Sequence, residues 1–270
     1  MQTVDTKQAT LSYEKVGPDE GVPLVLIHGF TGHRDDFSSV SHRLALNRPV
    51  IAVDLRGHGD SRGRLSEPEY SFQTCVSDLV DLLDILGIEK CDLLGHSMGG
   101  MIALRLALSH HHRLRSLILM STSGSPLEPA GREGLKRGIE FLKSSNLVTM
   151  QAKLEANAKL RPDPIIEAWG HRYWPHQRRR YAAMDVRAYV EFAREMIEQP
   201  ALGSALSSIS CPVLILIGSK DTPFLKAADE LERALPHATR VDLEGAGHHP
   251  HEERQDEFLK AMDEQRQNTF

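Results

Sequence analysis

The 270-residue sequence has few cysteines, no long apolar run and no excess of positive charge, and each absence argues against a class of protein. The sequence has three cysteines, Cys75, Cys91 and Cys211, and no two of them have the Cys-x-x-Cys spacing. Neither a disulfide framework nor a cysteine-rich metal site is therefore expected. The longest apolar stretches, such as PVLILI at 212–217, fall far short of the roughly 18 residues that a membrane helix needs. The net charge of -5 disfavours a nucleic-acid binder, because such domains neutralise phosphates with a basic face.

The composition instead suits an enzyme-sized globular protein. With 40% hydrophobic and 26% charged residues, the chain can bury one large core, or one core that carries an insertion. The N-terminal stretch MQTVDTKQATLSYEKV has no basic cluster followed by an apolar run and a small-residue cleavage site, as an export signal would. The sequence therefore predicts a cytoplasmic protein whose partners are small molecules, without nucleic acid or membrane among them.

Short runs rich in Val, Ile and Leu recur along the chain and predict strands. A strand that is buried on both faces of a parallel sheet forms a continuous apolar run. Helical patterns lie between these runs, and the clearest extends from Phe72 to Leu86 before Gly87 ends it. This alternation predicts an α/β fold, with a mostly parallel sheet flanked by helices. The strand candidates are PLVLIHG (23–29), PVIAVDL (49–55), CDLLGH (91–96), LRSLILM (114–120), CPVLILIGS (211–219) and TRVDLEG (239–245).

The pattern changes between about residues 126 and 205, where helical periodicity and polar runs continue without a convincing buried strand. The segment ALSSISC at 205–211 then leads back into a buried strand. We therefore expect a single domain over residues 1–270 that carries an inserted helical cap at about 126–205.

Aromatic residues are concentrated in the predicted cap. They either pack the cap onto the body or line a substrate pocket, and the sequence leaves both interpretations open. For the pocket, the substrate-binding candidates are Phe141, Trp169 and Trp174. The remaining aromatic residues of the insertion are Tyr173, Tyr181, Tyr189 and Phe192.

The segment CDLLGHSMGG at 91–100 begins as a strand and then breaks into glycines around Ser97. Its residues 95–99 fit the motif Gly-x-Ser-x-Gly, and a helical pattern follows, which is the context that makes this motif meaningful. A sharp strand-to-helix turn strains the backbone of its central residue, and flanking glycines leave room for that turn. The motif therefore predicts a serine hydroxyl above the sheet, beside the unpaired N–H groups of a helix start.

A serine hydroxyl is a weak nucleophile at neutral pH, so it needs a base and a third group that orients the base. The segment EGAGHHPHEE places His248 in a loop after the last predicted strand, and IGSKDTP places Asp221 just beyond the preceding strand. Both residues follow the carboxyl ends of strands, where open α/β sheets assemble their sites. The chain order Ser97, Asp221, His248 is the order of nucleophile, acid and base on such a sheet.

The attack of a serine on a carbonyl creates an oxyanion, and the loss of one preorganised donor to it typically costs about 3 kcal/mol. The segment HGFTG at 28–32, after an early strand, offers the backbone N–H of Phe30. Met98, directly after the predicted nucleophile, offers the second donor. We interpret His28 as a residue that shapes this loop and not as a catalytic group.

With HGF, DLRGHGDS, GHSMGG and GAGHHP in this order, the sequence resembles the α/β-hydrolase superfamily, in particular its small capped members. The likeness covers about residues 10–124 and 205–265. It implies no metal and no organic cofactor, and it implies a structural part for Asp54 and His58. The roles that it implies for the site are nucleophile for Ser97, acid for Asp221, base for His248 and oxyanion donors for Phe30 and Met98.

The resemblance also separates activities. Dehalogenases and epoxide hydrolases of this fold carry an aspartate where this chain has Ser97, and carbon–carbon bond hydrolases of ring-cleavage products often carry asparagine where it has His96. Esterases and lactonases commonly show a turn like GHSMGG. The prediction is a serine hydrolase, a carboxylesterase, that cleaves small-molecule esters or lactones through an acyl-enzyme on Ser97. A carbon–carbon bond hydrolase and a non-catalytic ligand receptor are the alternatives.

Other residue groups suggest sites of different kinds. Histidines crowd positions 110–112 and 248–251, but neither group has the helical His pair of a zinc protease, so no metal is expected. The stretch GHGDSRG lacks the Gly-x-Gly-x-x-Gly spacing of a nucleotide-binding loop. The arginines at 178–180 either clamp an anionic substrate or form a solvated helix face. The sequence predicts neither an oligomeric state nor a particular substrate.

Overall fold

A nine-stranded sheet runs through the described part of the chain, residues 1–158 and 164–267 of a computed structural model. All six predicted strands are present, and three further strands, β1, β2 and β5, were not predicted. Across the sheet the order is β1-β2-β4-β3-β6-β7-β8-β9, and β5 pairs with β2. The strands are β1 Gln2–Asp5, β2 Ala9–Val16, β3 Leu24–Ile27, β4 Val50–Val53, β5 Arg62–Gly63, β6 Cys91–His96, β7 Leu114–Met120, β8 Val213–Gly218 and β9 Ala238–Leu243.

The sheet is parallel from β4 to β9, whereas β1 and β2 are antiparallel to their neighbours. Helices follow the strands in chain order, which confirms the predicted α/β class. The helices are α1 Ser41–Leu44, α2 Phe72–Ile85, α3 Met98–Ser109, α4 Pro129–Leu142, α5 Leu147–Ala158, α6 Pro164–Trp169, α7 Tyr173–Ala183, α8 Val186–Glu198, α9 Thr222–Ala234, α10 Pro250–Glu253 and α11 Gln255–Gln267.

The strand sequences are apolar throughout because both faces of the sheet are covered. Successive side chains of a strand point to opposite faces. On β6, Leu93 packs into the core under α2 and α3, whereas Leu94 packs into a second core under α1 and α11. The same alternation holds along β8.

Helix α2 shows how closely periodicity predicted local structure. It begins after Ser71, whose hydroxyl accepts the backbone N–H of Thr74 at 3.1 Å, while the Thr74 hydroxyl accepts the Ser71 N–H at 3.0 Å. This reciprocal cap satisfies two N–H groups that a helix start leaves unpaired. The helix ends at Ile85, one residue before the predicted end, and Gly87 follows with a φ of 67°.

In the described residues, the insertion between β7 and β8 consists of the helices α4 to α8 and two short 3-10 helices, Gly170–Arg172 and Gly203–Ser208, without a strand. Helix α8 fastens this cap to the body. The Asp185 N–H donates to the Gly57 carbonyl at 2.9 Å, and the Tyr70 hydroxyl donates to the Asp185 carboxylate at 2.8 Å. A Cβ on Gly57 would lie 2.4 Å from the Cβ of Ala188, so only glycine allows this approach. The extent of the domain, 1–270, stays a prediction.

Strand β3 lies at a reversal of the strand order. The next strand in the chain, β4, lies on one side of β3, and the later strand β6 lies on the other side of β3. At the carboxyl end of this second pairing, Ile27 of β3 pairs with Gly95 of β6. The loops that leave the carboxyl ends of β3 and β6 therefore diverge, and such a point forms the binding crevice of open α/β sheets. This crevice is where the sequence places Phe30 and Ser97.

Candidate active site

Ser97 forms the turn between β6 and α3. Its φ of 53° and ψ of -118° lie in the positive-φ region that favours glycine. Two hydrogen bonds fix the turn against the neighbouring strand: the Ser97 N–H donates to the Met120 carbonyl at 2.9 Å, and the Thr122 hydroxyl donates to the Ser97 carbonyl at 2.6 Å. A residue in such a conformation persists where its surroundings over-determine it, which is common at active sites.

The glycines of the motif allow the turn to pack closely. A Cβ on Gly95 would lie 2.5 Å from the Gly99 carbonyl oxygen, and a Cβ on Gly99 would lie 2.5 Å from the Ile27 carbonyl oxygen. Both distances are far below van der Waals contact. With glycine at these positions, α3 can start immediately after the serine, directly over the ends of β3 and β6.

Asp221 and His248 meet in a direct contact. The Nδ1 atom of His248 lies 2.9 Å from Oδ2 of Asp221, whose side chain is 3% exposed. A carboxylate accepts the proton of Nδ1 and so leaves the lone pair on Nε2, which is the tautomer that a general base needs. Phe224 stacks on the imidazole at 4.8 Å between ring centroids and limits its rotation.

The loops that carry these two residues are bound to each other. The Lys220 N–H donates to the Ala246 carbonyl at 2.8 Å, and the Gly245 N–H donates to the Ser219 hydroxyl at 2.8 Å. At the end of β8, a Cβ on Gly218 would lie 2.1 Å from a carbonyl oxygen of the His248 loop. Their relative position therefore depends on backbone contacts as well as on the Asp221–His248 pair.

His96 connects the serine turn to the His248 loop. Its Nε2 lies 2.8 Å from the backbone carbonyl of His248, and the two rings lie 4.9 Å apart. Burial, together with the neighbouring histidines, holds the pKa of His96 well below its ordinary value, so the ring is neutral and Nε2–H donates. Sequence reasoning gave His96 no part in the site, since the motif leaves this position open.

Phe30 lies in a turn beside Ser97. The Gly29 carbonyl accepts the Gly32 N–H at 3.0 Å and contacts Nδ1 of His28 at 2.8 Å. Because the peptide is trans, the N–H of Phe30 lies on the side opposite to this fixed carbonyl. A Cβ on Gly29 would lie 3.1 Å from the Cβ of Ser97. The turn thus places the first predicted oxyanion donor next to the serine turn.

His28 is itself locked in one tautomer. Its Nε2 accepts the Leu55 N–H at 3.0 Å, so Nδ1 carries the proton and donates to Gly29. Complete burial lowers the pKa of His28 to about 4, which keeps the ring neutral at pH 7. This arrangement fits the loop-shaping part predicted for His28. The second predicted donor, Met98, is the first residue of α3, a position whose N–H has no partner within the helix.

The three predicted substrate-binding residues lie in different surroundings. Trp169 packs on His176 at 4.6 Å and lines a small cavity that His249, the neighbour of His248, also lines. Trp174 lines a separate cavity between cap helices. Phe141 is half-buried, and Nζ of Lys153 lies 4.6 Å from the centroid of its ring. Substrate binding by these residues stays a prediction.

Asp54, in the turn DLRGHGDS, is enclosed by donors. It accepts the N–H of Arg34 at 2.7 Å and the N–H of Asp60 at 3.0 Å, and it pairs with the Arg34 guanidinium. His33, Asp54 and Asp60 hold ligand atoms within 4.8 Å of one another, a spacing that a metal ion could use. The Arg34 guanidinium already pairs with both carboxylates, because it lies 3.0 Å from Asp60 as well. This arrangement fits a structural turn better than a metal centre.

The three cap arginines do not form one surface. Arg178 pairs with Glu155 at 2.7 Å and is exposed, and the exposed Arg179 pairs with Asp35. Arg180 is 7% exposed and donates from Nε to the Thr31 carbonyl at 2.7 Å. The first two arginines resemble a solvated helix face, whereas Arg180 points into the body.

Comparison with known proteins places this geometry in a family. The sequence model described as alpha/beta hydrolase fold matches residues 22–255, so the chain belongs to the alpha/beta hydrolase fold family. A putative 2-succinyl-6-hydroxy-2,4-cyclohexadiene-1-carboxylate synthase of Bacillus subtilis is 28% identical over 267 residues, which cover 92% of this chain and 91% of that protein. The mouse sn-1-specific diacylglycerol lipase ABHD11 is 25% identical over 97% of this chain and 86% of its own length.

Among solved structures, a thermophilic esterase from Thermogutta terrifontis superposes with a TM-score of 0.82 at 26% identity and covers 100% of this chain and 99% of its own. Together with the family match, these relatives support a hydrolase of the α/β fold. In the part of the chain that the structure describes, no helix has both the length and the apolar surface needed to cross a bilayer. The cytoplasmic location stays a prediction.

Proposed function

We propose that this protein is a serine hydrolase that cleaves carboxylic esters or lactones of small molecules through an acyl-enzyme on Ser97. The contact of 2.9 Å between Asp221 and His248 carries the proposal, together with a serine at positive φ whose neighbour His96 binds the His248 carbonyl. The similarity to an esterase and to a diacylglycerol lipase supports ester chemistry.

The proposed reaction is acyl transfer in two stages. Nε2 of His248 accepts the proton of Ser97 as its oxygen attacks the ester carbonyl, and Asp221 stabilises the imidazolium that forms. The N–H groups of Phe30 and Met98 donate to the oxyanion. The imidazolium then protonates the leaving alcohol. Water, activated by the same histidine, attacks the acyl-enzyme and releases the acid. No step requires a metal or an organic cofactor.

The variant Ser97→Ala tests the proposal against short p-nitrophenyl esters and lactones. We expect turnover to fall by several orders of magnitude, to the small residual rate that oxyanion donors and binding provide. The exposed Ser144 of the cap offers a control, since Ser144→Ala changes a serine far from the motif in sequence. Wild-type turnover in Ser97→Ala would contradict the proposal.

A fluorophosphonate probe separates an enzyme from a ligand receptor on the same fold. Stoichiometric labelling of the wild type, lost in Ser97→Ala and kept in Ser144→Ala, is expected for the enzyme. An unlabelled wild type would favour the receptor. A ring-cleavage dienoate is assayed beside the p-nitrophenyl esters and lactones. Its cleavage by a protein that does not turn over the esters would indicate a carbon–carbon bond hydrolase.

A further inference from the structure

Arg180 of the cap helix α7 reaches the loop that carries the predicted oxyanion donor Phe30. Its Nε donates to the Thr31 carbonyl at 2.7 Å, and the contact is buried. Nothing in the sequence motifs assigns this task to Arg180, because the contact joins residues 149 positions apart. The cap therefore touches the second peptide unit after the one whose N–H would stabilise the oxyanion.

Thr31 needs such an anchor. It has a φ of 55°, although a β-branched side chain disfavours positive φ, and it is 7% exposed. The Gly32 N–H closes the turn onto the Gly29 carbonyl at 3.0 Å. His28 holds that carbonyl from the body, and Arg180 holds the Thr31 carbonyl from the cap. The orientation of the intervening Phe30 is thus fixed from both sides.

The guanidinium of Arg180 is itself held in place. Asp36 lies 3.7 Å from its Nε, accepts the His33 N–H at 3.1 Å and contacts Nε2 of His176 at 2.6 Å. Burial opposes the ionisation of Asp36, but Arg180 and then His176 outweigh burial and hold the pKa of Asp36 well below its ordinary value. A charged carboxylate therefore balances the buried arginine.

We propose that Arg180 is a positioning residue, through which the cap holds the Phe30 N–H in the orientation that stabilises the oxyanion. The proposal rests on the proposed function of this site. It assigns the cap a direct part in the rate of the chemical step, in addition to any part in substrate selection. It also gives Arg180 a task other than an anion clamp, because its Nε is engaged by Thr31 and its charge is balanced by Asp36.

The test compares Arg180→Ala with Arg178→Ala, a control on the same helix whose arginine is exposed and paired with Glu155. Both variants are assayed with a neutral substrate, p-nitrophenyl acetate, and an anionic one, p-nitrophenyl hemisuccinate. We expect Arg180→Ala to lower kcat by about 100-fold on both substrates, as loss of an oxyanion donor does. KM is expected to stay nearly unchanged, and Arg178→Ala to behave as wild type.

Three further measurements separate positioning from a general loss of structure. Arg180→Lys retains the charge beside Asp36 but lacks the Nε donor, so we expect it to fold and still to lose kcat. Free guanidinium ions are expected to restore part of the kcat of Arg180→Ala. A trifluoromethyl ketone, whose bound form carries an oxyanion, should bind more weakly to both variants in proportion to their loss of kcat.

The outcomes distinguish this proposal from the proposed function. A kcat that stays at the wild-type level in Arg180→Ala and Arg180→Lys, while Ser97→Ala is inactive, overturns the positioning role alone. A rise in KM confined to the anionic ester overturns it in favour of an anion clamp. Full turnover in Ser97→Ala overturns both proposals.

Discussion

Three histidines of the site differ in the partners of their ring nitrogens, and these partners determine which nitrogen carries the proton. His248 has Asp221 on Nδ1, which leaves Nε2 for the proposed role of base. In His96 the donor is Nε2, directed at the His248 carbonyl, and in His28 it is Nδ1, directed at the Gly29 carbonyl. The last two are buried and neutral, so they act as rigid backbone anchors and not as proton carriers.

The Asp221–His248 contact predicts a large effect of a small substitution. In Asp221→Asn the amide can present its NH₂ group to Nδ1, which favours the wrong tautomer, and we expect kcat to fall on the order of 10⁴-fold. The exposed Asp229 on α9, paired with Arg240, offers the control Asp229→Asn. Steady-state kinetics with a p-nitrophenyl ester measure both variants. Similar kcat values in the two variants would argue against Asp221 as the orienting acid.

At the residue scale, the sequence predicted the groups that carry motifs and missed those that act through tertiary contacts. Ser97 lies in the predicted turn, and Asp221 and His248 follow the strands that were predicted for them. The contact of His96 with the His248 carbonyl and that of Arg180 with Thr31 join distant segments, so no local pattern reports them.

At the scale of the elements, buried parallel strands were predictable because their continuous apolar runs have few other interpretations. The missed strands lack this signal. Strand β2 has the sequence ATLSYEKV, in which apolar and polar residues mix, and β1 and β5 have four and two residues. Their pairing with the body of the sheet, and not their composition, makes them strands.

Close packing between elements predicts opposite effects for two glycine substitutions. In Gly218→Ala the new Cβ would collide with the backbone of the His248 loop, so we expect the free energy of unfolding to fall by about 1–3 kcal/mol and kcat to fall with it. A Cβ on Gly134, which is exposed on α4, would come no closer than 4.0 Å to its nearest neighbour, the Arg137 guanidinium. Gly134→Ala is therefore expected to raise the free energy of unfolding by about 0.5–1 kcal/mol.

Urea unfolding and ester turnover measure both glycine variants. The paired design removes the general effect of a glycine-to-alanine change, because the substitution is the same and only its surroundings differ. Equal stability changes in the two variants, or full activity in Gly218→Ala, would show that the β8 end does not position the His248 loop.

At the scale of the whole molecule, buried neutral histidines make stability depend on pH. Burial lowers the pKa of His28 and His251 to about 4 and that of His58 to about 3. The unfolded chain binds protons near pH 6.5, whereas the native state does not until lower pH, so stability is lost as the pH falls from about 6.5 towards 4. As the pH falls from 7.5 to 5.0, each of these histidines is expected to lower the free energy of unfolding by about 2 kcal/mol.

Urea unfolding at pH 7.5, 6.0 and 5.0 measures this loss. Replacing the exposed His42 by glutamine provides the control, and we expect it to keep the pH dependence of the wild type. A free energy of unfolding that stays constant over this range would mean that the three rings become protonated in the folded protein without penalty.

The bond from Arg180 to Thr31 has a consequence for protein engineering. A chimaera that receives the cap of a relative to change its selectivity would lose this bond unless the graft supplies an equivalent donor to the same carbonyl. With the positioning role proposed for Arg180, cap exchange in this scaffold would slow catalysis even for substrates that fit the new cavity, and restoring a single arginine would be the first repair to attempt.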